Sequence, residues 1–535
     1  MSFTDRSLED HRASLNVAIS ASSNGRHLVR YLGPTDPFFY LGDTAWELPH
    51  RLSIGEAELY LRNRSEKGFN AVMIVLLAEH GGLDHPNRDG EWPFFPHSNS
   101  NATSYQPDLS RPNPAYFAFI DSLTSLAASL DITLVLVPTW GRYINGGYYG
   151  PPVLFDRDTA YTYGRFLGER YPFHPFVLGG DSNRFWVESW SWANAASGGK
   201  DVLKDNGPVI ESMAKGLLEG EKAARNKLVT QGLIECEEYI PFLTYHSAQL
   251  WLPDTVETTS SAQFPDATWL GYDVVQTGHH DTYRTGEKRL PRWFARSSYI
   301  PIRKMYATKD KSGRPRPIMD MEPHYENTRM GFIPEEPLWT AKDIRNGGWQ
   351  AIFAGACGYT YGVNSIWQMH NAESKTHPPI QPPTTAFNNW YLELDLPGAY
   401  QASLFRHIMQ SLPNFFSRIP DQSFILSDTH EPTDGTPAGD ALISGMRSEG
   451  WAMVHLPYGG GVTIDLTKAG FGEKKSWRAW WIDPRTGGRE VFMRDAGGGV
   501  TQTFQAPSGG DQDDDWLLLV EEDIWPPRHD AEQQR

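Results

Sequence analysis

Short apolar runs recur along the first three quarters of the sequence, and helical patterns separate most of them. Residues 71–77 (AVMIVLL) and 133–138 (TLVLVP) are continuously apolar, which is typical of parallel strands buried on both faces. The other runs lie at 38–41, 176–178, 240–244, 273–276, 317–319 and 358–361. Eight strands that alternate with helices predict a parallel α/β fold, and we expect a (β/α)8 TIM barrel.

Several of the intervening helices have recognisable ends. Ser53 and Glu56 predict a capping box at the start of one helix, and Gly68 marks its end. Thr340 is the predicted N-cap of another helix, which runs to Ala354. The remaining helices are expected near 114–130, 158–170, 207–226, 291–305 and 396–412. The first strand–helix unit has neither a GxGxxG motif nor a P-loop, which argues against a dinucleotide or nucleoside triphosphate ligand.

The pattern changes after the last of these helices. Short alternating apolar and polar runs, with Gly, Pro and Asp between them, fill the region from about 420 to 522. They predict a small antiparallel β-sandwich. We therefore divide the chain into a flexible N-terminus (1–14), a barrel catalytic domain with an N-terminal hairpin (15–415), a β-sandwich domain (416–522) and a polar tail (523–535).

Charge, cysteine content and the distribution of apolar residues indicate the partners and the cellular location of the protein. The net charge is −17 and no basic run is present, so we expect no nucleic-acid partner. Two cysteines cannot form a disulfide framework. No stretch approaches the roughly 18–20 apolar residues of a membrane span, and the N-terminus lacks the apolar core of a secretory signal. We expect a cytoplasmic protein, with nonclassical export and the oligomeric state left open.

Polar and aromatic side chains gather just after the predicted strands. Seven of them are Asp43, Trp140, Asp181, His246, His279, Glu322 and Asn364. The carboxyl ends of the strands of a (β/α)8 barrel converge at one mouth, where active sites are built. The strand ends therefore predict a functional site that contains two or more carboxyl groups.

Seven segments resemble the apiosidase-like glycoside hydrolase family, whose members carry a C-terminal domain described as collagen-binding. The segments are 38–48 (FFYLGDTAWEL), 60–72 (YLRNRSEKGFNAV), 176–181 (FVLGGD), 321–326 (MEPHYE), 355–368 (GACGYTYGVNSIWQ), 480–488 (WWIDPRTGG) and 513–522 (DDDWLLLVEE). The resemblance implies a (β/α)8 barrel that hydrolyses glycosides, with activity on an apiose linkage in pectic side chains known in the family. It implies a carbohydrate or glycoside substrate and no cofactor or metal.

Glycoside hydrolysis uses two carboxyl groups that flank the scissile bond. Asp181 follows the fourth predicted strand and Glu322 the seventh, so a barrel would bring them to opposite sides of its mouth. Both positions match the family pattern, and we assign Asp181 as the general acid/base and Glu322 as the nucleophile. A retaining mechanism is expected, and inversion stays open because the separation of the two carboxyl groups decides between them. Glu326 competes with Glu322, but Glu322 lies at the strand tip and Glu326 lies in the loop, where we expect it to orient a partner or bind substrate.

The other candidates are interpreted as sugar-binding residues. Aromatic rings at the mouth can stack on a sugar ring, and Asp43, Asn364 and the histidines can hold hydroxyl groups, although a structural role is the alternative for each. The predicted substrate-binding residues are Asp43, Trp46, Trp140, Tyr143, Trp186, His246, His279, His324, Tyr325, Glu326, Asn364 and Trp367.

Two other functions are compatible with parts of this pattern. His279-His280-Asp281 resembles a metal-binding run, but a metal-dependent barrel hydrolase typically has an H-x-H motif after its first strand, and Gly42-Asp43-Thr44 stands there instead. A catalytically inactive carbohydrate-binding barrel is the non-enzymatic alternative. It is disfavoured because both expected carboxyl groups are retained.

Overall fold

The computed structural model describes most of the chain and divides it into two compact units. The described residues are 6, 8–98, 105–191, 198–199, 202–232, 234–235, 242–248, 258–279, 298–382, 384–431, 439–472, 476–494, 500–510 and 513–523. The first unit comprises Met1–Gln276, Lys309–Glu322 and Thr360–Asp395, and the second comprises Thr277–Thr308, Pro323–Tyr359 and Leu396–Arg535.

The helices and strands are numbered in chain order. The α-helices of the described residues are α1 (Leu8–Asn16), α2 (Leu48–Arg51), α3 (Ile54–Glu66), α4 (Pro114–Ser129), α5 (Arg142–Asn145), α6 (Arg157–Arg170), α7 (Gly207–Thr230), α8 (Ser260–Gln263), α9 (Tyr299–Ala307), α10 (Ala341–Phe353), α11 (Asn364–Trp367) and α12 (Pro397–Ser411). None of the described helices combines the length and the apolar composition needed to cross a membrane.

The strands are likewise numbered in chain order. Those up to residue 361 are β1 (Ile19–Ala21), β2 (Leu28–Arg30), β3 (Gly33–Phe38), β4 (Tyr40–Thr44), β5 (Ala71–Val75), β6 (Phe94–Pro96), β7 (Pro107–Pro112), β8 (Thr133–Val137), β9 (Phe176–Gly179), β10 (Phe185–Trp186), β11 (Lys204–Asp205), β12 (Leu243–His246), β13 (Asp273–Val275), β14 (Ile318–Asp320) and β15 (Gly358–Tyr361). Those that follow are β16 (Ile419–Pro420), β17 (Ser444–Ser448), β18 (Trp451–Leu456), β19 (Gly459–Asp465), β20 (Trp477–Ile482), β21 (Arg489–Arg494), β22 (Thr501–Gly509) and β23 (Trp516–Glu522).

The first unit is built on parallel strands. Six form one sheet in the order β12-β9-β8-β5-β4-β15, and β13 pairs in parallel with β14. Every residue of β4, β5 and β8 is buried, as the continuously apolar runs predict. These eight strands and the helices between them along the chain confirm the predicted α/β fold.

A serine side chain links the six-stranded sheet to the β13–β14 pair. The hydroxyl of Ser260 donates a hydrogen bond to the carbonyl of Tyr245 at 2.8 Å and accepts one from the amide of Val274 at 2.9 Å. These bonds satisfy backbone groups of β12 and β13 that would otherwise be buried without a partner. The sheet therefore continues across β12 and β13 through a side chain rather than through a regular ladder.

The N-terminus differs from its prediction. Residues 1–14 are predicted to be a flexible N-terminus, but residues 8–16 form α1, which is followed by the antiparallel sheet β1-β2-β3. The cause is tertiary: Arg6 is buried and donates a hydrogen bond to Thr124 in α4 at 2.8 Å. Leu15 packs in an apolar cluster with Phe173 and Leu228. The predicted hairpin is present and has a third strand.

Predicted helix ends are largely confirmed. Both hydrogen bonds of the Ser53–Glu56 capping box are present at α3, and Thr340 forms a capping box with Asp343 at α10. The fifth parallel strand ends two residues later than predicted, so His246 is its last residue rather than part of the following loop. The region 78–112, to which no helix or strand is assigned from the sequence, contains the β6–β7 hairpin.

The second unit contains α9, α10, α12 and the antiparallel strands β16 to β23. Six strands form a sheet in the order β16-β17-β18-β23-β20-β21, and β19 pairs with β22. One apolar core is shared by the two layers, and it includes Val454 of β18, Val462 of β19, Phe504 of β22 and Leu518 of β23. This confirms the predicted β-sandwich.

Candidate active site

A sharp turn at the end of β9 presents the Asp181 side chain. Gly179, Gly180 and Asp181 all have positive φ, at 87°, 111° and 42°. A Cβ atom on Gly179 would lie 2.5 Å from the carbonyl oxygen of His246, and one on Gly180 would lie 2.5 Å from the indole ring of Trp140. The two glycines are therefore required by the backbone conformation and by close packing. The Gly-Gly-Asp motif builds a rigid turn that holds one carboxyl group at a strand end.

The Asp181 carboxyl group accepts two side-chain hydrogen bonds. Nε1 of Trp140 donates to its Oδ2 atom at 3.2 Å, and Nε2 of Gln276 donates to its Oδ1 atom at 3.3 Å. Burial, and then the negative charge of Glu322, raise the pKa of Asp181 to about 6, against the opposing effects of His246, Gln276 and Trp140. Asp181 can therefore hold a proton or release it near neutral pH.

Glu322 is the second carboxyl group, and its partner is a buried histidine. It lies two residues past β14 and is 5% exposed. Nε2 of His246 lies 3.0 Å from Oε2 of Glu322. Burial lowers the pKa of His246, but the hydrogen bond and charge of Glu322, together with Asp181 and Asp320, raise it by more, so the net shift is upward. The contact therefore favours a protonated imidazole at His246 beside the Glu322 carboxyl group.

Two of the aromatic side chains predicted for the site, Trp46 and Trp140, lie beside His246. The ring centroids of Trp46 and Trp140 are 4.8 Å apart, and those of Trp140 and His246 are 5.8 Å apart. Trp367 lies against His80 with centroids 5.6 Å apart, and Asn364 accepts a hydrogen bond from its Nε1 atom at 3.1 Å. Trp46, Trp140 and His246 thus lie together, and Asn364 orients Trp367.

Asp43 does not have the role predicted for it. It is fully buried, and its Oδ2 atom accepts hydrogen bonds from Nε of Arg64 at 2.5 Å and from the hydroxyl of Tyr60 at 2.8 Å. Its Oδ1 atom accepts from the amide of Thr44. Because both oxygens are engaged inside the protein, Asp43 is a structural ion-pair partner and not a ligand of sugar hydroxyls.

Two predicted stacking residues lie in other packing arrangements. Tyr143 is buried and donates a hydrogen bond to the carbonyl of Ala78 at 2.8 Å, so it supports the backbone after β5. Trp186 lies in an aromatic cluster, with ring centroids 5.5 Å from Tyr148 and 5.4 Å from Trp190. Both are buried, and their ring contacts in this structure are with the protein.

Four predicted residues belong to the second unit. His279 packs against Tyr325 with centroids 4.4 Å apart, and His324 packs against Trp339 at the same distance. Glu326 accepts a hydrogen bond from the amide of Gly398 at 3.0 Å, in the first turn of α12. Glu326 therefore caps a helix, which separates its role from that of Glu322. His280 and Asp281, the other members of the metal-like run, lie outside the described residues.

Three residues near the carboxyl pair were missed from the sequence. They are Gln276, Tyr149 and Glu79. Gln276 donates a hydrogen bond to Asp181. Burial raises the pKa of Tyr149, and the charge of Glu79 raises it further. Glu79 itself is a third buried carboxyl group, whose pKa burial and the charge of Asp181 raise. The signal for Glu79 was its position just after the second parallel strand, in Ala78-Glu79-His80. Among the described residues, no group of three or more His, Cys, Asp or Glu is arranged to hold a metal ion.

The fold and the two buried carboxyl groups define a class, the (β/α)8 barrels of glycoside hydrolases. A solved structure described as a glycoside hydrolase is 25% identical, covers 95% of this chain and 97% of that chain, and has a TM-score of 0.72. A family 5 glycoside hydrolase from Bacteroides vulgatus ATCC 8482 is 24% identical, covers 95% of this chain and 93% of that chain, and has a TM-score of 0.71, which shows a shared fold.

The family follows from the sequence match. Residues 22–416 match the apiosidase-like catalytic domain, and residues 419–521 match a domain described as the collagen-binding domain of a collagenase. The chain belongs to the apiosidase-like family, and it is an enzyme of the glycoside hydrolase class. No protein with a curated description matches the chain significantly.

Proposed function

We propose that this enzyme hydrolyses a glycosidic bond by double displacement, with Asp181 as the general acid/base and Glu322 as the nucleophile. The observation that carries the proposal is the contrast between the two carboxyl groups. Asp181 has its pKa raised to about 6, whereas Glu322 forms an ion pair with His246. One group that can be protonated beside one that is ionised is the combination that glycoside hydrolysis requires.

In the first step the Asp181 carboxylic acid protonates the glycosidic oxygen while the Glu322 carboxylate attacks the anomeric carbon. The glycosidic bond breaks, the alcohol leaves, and a glycosyl ester forms on Glu322. In the second step the Asp181 carboxylate takes a proton from water as the water oxygen attacks the same carbon. The ester bond breaks, which restores the Glu322 carboxylate and the protonated Asp181. His246 stabilises the carboxylate at both ends of this cycle.

The substrate we propose is a short glycoside of plant type or another oligosaccharide. The family description supports an apioside as the first compound to assay. A panel of 4-nitrophenyl glycosides, including apiosides, arabinosides and glucuronides, measures turnover by the wild-type protein. Binding of glycans with no turnover of any panel member would instead support a carbohydrate-binding protein.

The carboxyl roles are tested with Asp181→Asn and Glu322→Gln on the best substrate of that panel. Each variant is expected to lower kcat by about a hundredfold or more, since general acid catalysis alone contributes that much. Glu326→Gln is the matched control, because that carboxylate is bonded to the amide of Gly398. Near wild-type turnover in both Asp181→Asn and Glu322→Gln would refute the assignment.

Two further measurements separate the roles. A 2,4-dinitrophenyl leaving group needs no proton, so Asp181→Ala should form the glycosyl ester from such a substrate and azide should restore its turnover, whereas Glu322→Gln should stay inactive. Proton NMR of the first-formed sugar should show retention of the anomeric configuration. Inversion would contradict Glu322 as the nucleophile.

A further inference from the structure

Glu79 lies four residues past the end of β5, on a backbone segment that is held firmly. Its carbonyl oxygen accepts a hydrogen bond from Nη1 of Arg142 at 3.1 Å. The hydroxyl of Tyr143 donates to the neighbouring carbonyl of Ala78 at 2.8 Å. These bonds fix where the Glu79 side chain leaves the backbone.

The carboxyl group of Glu79 is buried but incompletely used. The residue is 5% exposed, and within the described part of the chain its Oε1 atom has no hydrogen-bond partner. Its Oε2 atom lies 3.6 Å from Nε2 of His80, which is too long for a hydrogen bond. Burial, and then the charges of Arg51 and Arg142, lower the pKa of His80 to about 3, so His80 is not a cation that could balance a carboxylate here.

The charged groups around Glu79 disfavour its ionised form. Burial raises the pKa of Glu79 most, and the negative charge of Asp181 raises it next. The charges of Glu47 and Glu322 also raise this pKa, and Arg142 lowers it. The net shift of the Glu79 pKa is well upward. Arg142 is the cation that acts on Glu79, and Arg51 acts on the adjacent His80. Arg142 donates hydrogen bonds to the carbonyls of Glu79 and Pro151, and Arg51 pairs with Glu47.

We propose that Glu79 is a substrate-binding residue of the active site, which acts as a neutral carboxylic acid and donates a hydrogen bond to an uncharged sugar hydroxyl. A buried polar group without a partner costs free energy that a ligand can recover. The ligand must supply an acceptor oxygen, and it must be uncharged because the carboxyl groups of Asp181, Glu322 and Glu47 act on the same place. The rings of Tyr149 and Trp367 lie against the adjacent His80, and the charge of Glu79 acts on Tyr149. The identity of the ligand rests on the proposed function.

Protonation of Glu79 is tested through the pH profile of kcat/KM. Glu79→Gln replaces a neutral acid with a neutral amide, so the alkaline limb set by Asp181 should move by less than about 0.3 of a pH unit. If Glu79 were ionised, the same change would remove a negative charge beside Asp181. The pKa of Asp181, read from the alkaline limb of the profile, would then fall by about one unit. Infrared difference spectra of wild type against Glu79→Gln at neutral pH should also show the band of a protonated carboxyl group. An absent band would overturn the proposal.

The hydrogen bond is tested by comparing Glu79→Gln with Glu79→Met. The amide keeps a donor and the thioether has none, so Glu79→Met should lose about tenfold or more in kcat/KM on the best 4-nitrophenyl glycoside, and Glu79→Gln should lose less. Monodeoxy versions of that glycoside should identify one hydroxyl group whose removal lowers kcat/KM of the wild type but leaves kcat/KM of Glu79→Met unchanged. Glu58→Gln, on the exposed face of α3, is the matched control.

The outcomes separate the two proposals. Equal losses in Glu79→Gln and Glu79→Met, or no deoxy substrate that Glu79→Met tolerates better than wild type, would overturn the role of Glu79 in an enzyme that still hydrolyses glycosides. If the wild type turns over no glycoside at all, the proposed function fails, and the sugar ligand of Glu79 fails with it.

Discussion

Asp181 and Glu322 are the same kind of group in two different environments. Trp140 and Gln276 donate hydrogen bonds to Asp181, whereas a buried histidine pairs with Glu322. Neutral donors stabilise a carboxylate less than an ion pair does, so burial and the charge of Glu322 dominate at Asp181. The division of roles that we propose for the two acids therefore rests on the residues that surround each of them.

The raised pKa of Asp181 predicts the alkaline side of the pH profile. The first step needs its protonated form, and a group with a pKa of about 6 loses its proton as the pH rises through that value. We expect kcat/KM on a 4-nitrophenyl glycoside to fall tenfold per pH unit well above pH 6. In Asp181→Asn with a 2,4-dinitrophenyl glycoside this limb should be absent. A wild-type profile that stays flat to pH 8 would contradict the assignment.

The buried pair of Asp43 and Arg64 predicts a loss of stability without a change in sugar recognition. Removing one partner leaves the other charge buried, so Asp43→Asn should lower the free energy of unfolding by about 3 kcal/mol. The midpoint of urea unfolding measures this loss. Asp131→Asn is the matched control, since Asp131 pairs with Arg30 but its side chain is 70% exposed. A raised KM with unchanged stability would restore Asp43 as a sugar ligand.

At the scale of helices and strands, local patterns were sufficient for most elements but not for every boundary. The continuous apolar runs became β5 and β8, and the Ser-x-x-Glu pattern became the first turn of α3. The end of β12 was misplaced because its register depends on pairing with β9, where His246 lies opposite Gly179. That pairing brings the His246 carbonyl against the glycine turn and directs its side chain to Glu322.

The contact of Glu326 with α12 predicts a structural role for this carboxylate. It bonds the amide of Gly398, and a Cβ atom on Gly398 would collide with its carboxyl oxygens. A carboxylate at a helix N-terminus is stabilising, so Glu326→Ala should cost about 1 kcal/mol, measured by thermal unfolding. The value of kcat/KM should change by less than about threefold. A hundredfold loss of activity with unchanged unfolding would show that Glu326 takes part in catalysis.

At the scale of the whole molecule, the compact units do not follow the pattern change near residue 416. Helices α10 and α12 group with the sandwich strands in the second unit. Arg345 of α10 forms a bidentate ion pair with Asp515. Its Nε and Nη2 atoms lie 2.8 and 2.7 Å from the two carboxylate oxygens, and both side chains are 2% exposed. A buried, bidentate pair of this kind ties α10 to the sandwich.

This ion pair predicts that substitution of Asp515 lowers the free energy of unfolding much more than substitution of Asp513. Asp515→Ala leaves Arg345 buried without its main partner, so it should destabilise the second unit by about 3–5 kcal/mol. Asp513 also contacts Arg345, at 3.2 Å, but its side chain is 80% exposed, and Asp513→Ala should cost less than about 1 kcal/mol. Denaturant unfolding followed by tryptophan fluorescence compares the two. Equal effects would mean that the pair does not stabilise the second unit.

The sequence by itself predicted the order of the parallel strands and the two architectures, and together with the family resemblance it singled out Asp181 and Glu322 as the proposed carboxyl pair. These depend on local patterns: the period of apolar residues, the capping residues, and an acid placed directly after a strand. Asp181 and Glu322 could be chosen because a parallel sheet brings strand ends to one edge.

Only the tertiary structure decided what each polar residue does. Asp43 lies near the end of β4 and Glu79 lies just after β5. Asp43 is paired with Arg64, whereas Glu79 is subject to the charge of Asp181 and has one oxygen without a hydrogen-bond partner among the described residues. The difference lies in partners that are distant in the sequence, which no local pattern records. Burial and the charge of neighbouring groups set the protonation of an acid, and both are properties of the folded chain.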